Sequence, residues 1–93
     1  MIRTHVTVSG LVQGVFYRDT CRSEAQAHGV SGWVRNRPDG TVEAVFEGPV
    51  DAVDHMVQWA HRGPARAEVR SVEARQEPPQ GLTGFDIRPT STP

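Results

Sequence analysis

The run VSGWVRNRPDGTVEAVFEG, Val30 to Gly48, constrains the fold more than any other stretch of the chain. In its second half Val42, Ala44 and Phe46 alternate with Glu43 and Glu47, the period of a strand buried on one side. Its first half, Val30 to Asn36, reads as another strand. Only RPDG, Arg37 to Gly40, lies between them, with proline and glycine placed for a tight turn. Strands joined so closely pair as an antiparallel hairpin, because a parallel pair needs a crossover of about a dozen residues or more. The rest of the chain must be arranged around that hairpin.

Helical patterns flank it on both sides. Upstream, Tyr17, Cys21, Ala25 and His28 recur at i, i+4, i+8 and i+11, a buried stripe that predicts a helix from about Asp19 to His28 closed by Gly29. Downstream, Val50, Val53, Val57 and Ala60, with Met56 beside them, form the inner face of a second helix from about Pro49 to Arg62, stopped by Gly63-Pro64. A first strand covers about Arg3 to Gly10. A fourth covers RAEVRSVEARQ, whose apolar phase slips between Val69 and Val72 and so predicts a bulge. EPPQGLTG is a loop and FDIR a short last strand; the tail from Pro89 to Pro93 is expected to fray. The order is βαββαβ plus a short final strand. It predicts an α+β fold, the ferredoxin-like split βαβ sandwich with two helices on one face of an antiparallel sheet. The 93 residues suffice for one such domain, 1–93, and not for two.

Composition narrows the function classes. A net charge of −1 gives no general electrostatic footprint for nucleic acid, and the aromatics do not form the paired platform of an RNA-reading sheet. All ten basic residues are arginine, which base composition of the genome explains, and the charges are scattered as on a solvated surface. Apolar runs are too short to span a membrane, and no signal peptide leads into the first strand. A single cysteine makes no intrachain disulfide. These features favour the cytoplasm and argue against nucleic-acid and membrane partners; a monomer is expected. His55 and His61 are six apart and do not share a helix face, while His5 and His28 fall on other elements, so no metal site is expected. Cys21 belongs to the buried stripe and reads as an inert core thiol. Trp33 and Trp59 read as packing residues.

GLVQGVFYRDTC, Gly10 to Cys21, holds the chemistry. It joins a strand end to a helix start, and around Gly14 it offers successive backbone N–H donors that a ligand can approach closely. Such donors beside a helix N-terminus make an anion site. Arg18 adds a planar fork suited to phosphate, although a surface pair with Asp19 or Glu24 explains it equally well. Asn36 closes the second strand, either as a turn-initiating residue or as an amide that holds a water by donating and accepting at once.

GLVQGVFYR followed by GVSGWVRNRPDGTVEAVFEG closely resembles the acylphosphatase family, and the similarity continues through HRGPARAEVRSVE to GFDIR. The resemblance implies hydrolysis of the carboxyl–phosphate anhydride of a small acyl phosphate, without metal or cofactor. It implies that Gln13, Gly14, Val15, Phe16 and Tyr17 bind phosphoryl oxygens through backbone N–H groups. Arg18 grips the same phosphate and Asn36 orients the attacking water. Phe16 stands where the family usually has a small residue, and Tyr17 where it usually has phenylalanine. A non-catalytic ferredoxin-like module that binds an anion is the competing expectation.

Overall fold

The computed structural model describes residues 1–90. Its elements are β1 (Ile2–Leu11), α1 (Tyr17–Ala27), β2 (Ser31–Asn36), β3 (Val42–Gly48), α2 (Val50–Arg62), β4 (Glu68–Glu77) and β5 (Phe85–Ile87). The expected fraying of Pro89 to Pro93 falls partly on 91–93, outside the described residues. The strands lie in the order β4-β1-β3-β2-β5. Asn36 pairs with Val42 and Ser31 with Glu47 across the hairpin. Its turn takes a Gly40 N–H to Arg37 carbonyl bond of 3.1 Å, with Gly40 at φ 89°, the usual glycine position of such turns. Thr41 belongs to this turn rather than to the strand, since its N–H and hydroxyl both bond the Asp39 carboxylate.

The expected bulge is present on β4. Ser9 faces Ser71 but Gly10 faces Val69, which leaves Arg70 without an opposite number. Four strands form the expected antiparallel ladder, and β5 makes the sheet mixed by running parallel to β2. The direction follows from where β4 ends: Glu77 lies opposite Arg3, at the end of the sheet where β2 starts. A short link staying at that end can only launch β5 alongside β2.

Both helices cover one face. Val6, Val8, Val34, Val42, Ala44 and Phe46 from the strands meet Tyr17, Cys21, Ala25, Val53, Met56, Trp59 and Ala60 from the helices. Two stripe assignments are corrected. His28 is exposed, because α1 ends at Ala27 and residue 28 already turns outward; its ring stacks on His55 instead, at 3.7 Å between centroids. Val50 is half exposed, while Val57 packs partly buried against the core as expected, and the large Trp59 ring adds to the inner face.

The opposite face of the sheet carries paired charge. Arg3 bonds Glu47 at 2.7 Å and Glu77 at 2.9 Å, and Glu43 takes His5 and Arg35, each at 2.7 Å. Glu47 is fully buried and also accepts the N–H groups of Gln80, Gly81 and Leu82 at 3.0–3.1 Å. A buried carboxylate is tolerated only when so satisfied, and here it fastens the β4–β5 link across the sheet. Trp33 packs on this face with the guanidinium groups of Arg35 and Arg88 over its ring, at 5.0 and 4.6 Å from the centroid.

Candidate active site

In this topology β3 separates β1 from β2, so the chain leaving β1 for α1 must pass over the end of β3 where β2 finishes. Val8 pairs with Val42, and Val42 with Asn36. Asn36 is therefore two strand spacings, about 10 Å, along the row from which the loop departs. Strand order alone brings the 12–16 loop and Asn36 to one end of the molecule.

The loop backbone alternates in hand. Gly14 has φ 75° and Phe16 φ 66°, while Val15 between them keeps an ordinary negative φ. Alternation of this kind turns consecutive N–H groups toward a common centre and makes an anion-binding concavity. Phe16 is the N-cap of α1 and its left-handed conformation costs about 1–2 kcal/mol. Its carbonyl is stitched to the N–H and the hydroxyl of Thr20, at 3.1 and 2.8 Å, while the ring is exposed. No side chain caps the first-turn N–H groups of α1, which leaves the positive end of the helix open to an anion.

Gly14, Phe16, Tyr17 and Arg18 line an open cavity of about 320 Å³, with Val12, Asp19 and Ile87 completing the wall. Among the described residues the Arg18 guanidinium has no ion-pair or hydrogen-bond partner. The two acids that could have taken it are engaged elsewhere: Asp19 with Arg22 at 3.6 Å, Glu24 with His55 at 2.8 Å and His28 at 3.5 Å. Arg18 is thus a free fork at the rim of a ring of N–H donors.

Asn36 ends β2 on the face that carries Val34, beside the loop but outside the residues lining the cavity. Its Oδ1 is buried without a partner among the described residues, an unmet acceptor of the kind that holds a water. The loop is tied to this hairpin by Gln13, whose side-chain NH₂ donates to the carbonyls of Arg37 at 2.8 Å and Thr41 at 2.9 Å. This brace was not foreseen from the sequence, where Gln13 has only a backbone role; nothing local distinguishes it from a solvated glutamine.

Tyr17 is a second unforeseen anchor. Its hydroxyl donates to the Ala60 carbonyl at 2.8 Å, and its ring lies 5.0 Å from that of Trp59, locking the first turn of α1 to the last turn of α2. Burial pushes the Tyr17 hydroxyl and the Cys21 thiol far above their ordinary pKa values, and Cys21 lies fully buried in the core where the stripe placed it.

The Acylphosphatase family model matches residues 4–87. The chain is 58% identical over 87 residues to an acylphosphatase of Rubrobacter xylanophilus, covering 92% of this chain and 79% of that one. It is 55% identical over 87 residues to an acylphosphatase of Natronomonas pharaonis, covering 94% and 95%. The fold superposes on the crystal structure of acylphosphatase from Bacillus subtilis with a TM-score of 0.91 at 32% identity, over 95% of this chain and 99% of that one.

Proposed function

The chain belongs to the acylphosphatase family and is an acylphosphatase, and from that premise we propose how its residues divide the reaction. The phosphoryl group of a small acyl phosphate sits in the loop, its oxygens accepting the backbone N–H groups of Gln13, Gly14, Val15, Phe16 and Tyr17. Arg18 closes on it with two parallel N–H donors. Asn36 holds the water, with Oδ1 accepting a hydrogen bond from one of its O–H groups. The water oxygen forms a bond to phosphorus as the bond from phosphorus to the acyl oxygen breaks. The electron pair leaves on the carboxylate, and the water's protons pass to phosphate and solvent. A carboxylate leaves without protonation, so positioning and charge stabilisation supply the catalysis.

The observation that carries this reading is the unpaired Arg18 guanidinium beside the alternating loop. The reading extends to a single monomeric domain over 1–93, working in the cytoplasm without metal, cofactor, nucleic acid or membrane in its chemistry. Hydrolysis of benzoyl phosphate by tag-free protein, with and without a chelator and against added inorganic phosphate, tests it. Turnover should be unchanged by the chelator and inhibited competitively by phosphate, which occupies the same N–H groups. Activity lost on chelation and restored by a divalent cation refutes the metal-free step; purely noncompetitive inhibition refutes the shared site.

A further inference from the structure

We propose that Glu24, His28 and His55 form a binding site for a divalent transition-metal ion of the zinc type, bridging α1 and α2 away from the active site. Glu24 lies in the last turns of α1, His28 is its C-cap, and His55 comes from α2. His55 Nε2 is hydrogen-bonded to Glu24 Oε2 at 2.8 Å, and His28 Nε2 lies 3.5 Å from the same oxygen. The rings stack at 3.7 Å with 28° between their planes, and the three donor atoms lie within 4.8 Å of one another. All three side chains are between about a third and two-fifths exposed, open enough for an ion to enter.

The two imidazole nitrogens and the Glu24 carboxylate gather in one small volume between the helices, where a single divalent cation can be shared by all three. Two imidazole nitrogens and one carboxylate oxygen, with a fourth position for water, are a donor set that suits zinc, whereas calcium and magnesium favour oxygen donors. The carbonyl end of α1 adds a favourable field for a cation.

The site lies at the far end of the helix layer from the phosphate loop. From Tyr17 to His28 α1 rises about 16 Å, so the ion clamps two helices and takes no part in hydrolysis. The proposal therefore stands apart from the roles assigned to Arg18 and Asn36.

Calorimetric titration of tag-free protein with Zn²⁺ tests it. One ion per chain should bind saturably, raise Tm and leave benzoyl phosphate turnover unchanged when added stoichiometrically. His28→Ala and His55→Ala should each weaken binding by at least about tenfold and abolish the Tm shift. Should an alanine variant misfold by circular dichroism, Glu24→Gln, which keeps the side chain's size, should show the same weakening. Absence of saturable binding overturns the proposal, as does an affinity unchanged in both histidine variants, which would put the ion on His5 or His61.

Discussion

Gln13→Ala removes the brace between the loop and the hairpin and leaves every backbone donor in place. Two neutral hydrogen bonds of 2.8 and 2.9 Å are lost, each worth about 0.5–1.5 kcal/mol net. The carbonyls they served keep other donors: Arg37 O holds the Gly40 N–H at 3.1 Å and Thr41 O the Arg37 N–H at 2.9 Å. No acceptor is orphaned, so the loss belongs at the low end, about 1–2 kcal/mol of folding stability. Catalysis should suffer more. In the proposed mechanism the phosphate is held from the loop and α1 and the water from the hairpin, and Gln13 joins the two; a shift of about 1 Å between reacting groups costs on the order of 10²-fold. We expect kcat to fall about 10- to 100-fold while the Kd for inorganic phosphate changes little. Gln13→Glu, which faces two carbonyl oxygens with a carboxylate, should be at least as damaging. Urea denaturation, steady-state hydrolysis of benzoyl phosphate and calorimetric phosphate titration measure the three quantities. A kcat within about twofold of wild type, beside the expected stability loss, would refute the positioning argument. So would a parallel loss of phosphate affinity.

Arg18→Lys should lose nearly as much kcat/KM as Arg18→Ala, because an ammonium cannot reproduce the two-pronged fork; a lysine variant keeping most activity would show that charge alone suffices. Asn36→Ala should bind phosphate normally while kcat falls on the order of 10²-fold or more, roughly 2.7–4 kcal/mol by analogy with oxyanion donors, and loss of phosphate affinity in step with kcat would remove its water-holding role. Burial pushes the Glu47 carboxyl up, but the Arg3 guanidinium and the N–H groups of Gln80 and Leu82 outweigh it and hold it below its ordinary value. Its stabilisation is thus complete above the unfolded pKa of about 4.3 and is lost as pH falls through the lower folded value. Glu47→Gln should cost roughly 2–4 kcal/mol near neutral pH by removing the buried one of Arg3's two carboxylate partners and leaving only Glu77, and flatten the acid limb of stability, read from urea midpoints between neutral and acid pH; an unchanged acid limb would contradict this.

The parts of the fold legible in the sequence are those specified by neighbours along the chain. The RPDG turn left one pairing for the central strands, and the apolar phase slip between Val69 and Val72 located the extra residue, Arg70, on β4. The orientation of β5 was not written in FDIR. It depends on where β4 sets the chain down and on a buried Glu47 that catches the link, a residue whose place in an alternating strand looks like any solvent-facing acid. The histidine cluster is likewise invisible along the chain. Spacing within one helix separated His55 from His61, but only the packing of α1 on α2 brings His28 against His55.

The candidate site divides along that line. An anion nest is made of consecutive backbone groups, so Gly14 and the helix start announce it, and Arg18 is conspicuous as a cation at the wrong end of a helix dipole. What holds the nest in register cannot be seen locally. Gln13 serves hairpin carbonyls far away in sequence, and Tyr17 reaches Ala60 at the end of α2. Both contacts exist because β3 is inserted between β1 and β2, which forces the loop across the hairpin and sets the two helix ends side by side. Backbone donors that point at a ligand tolerate many side chains but not displacement. The residues that prevent displacement are therefore long-range, and under the proposed mechanism their loss should lower kcat more than phosphate affinity.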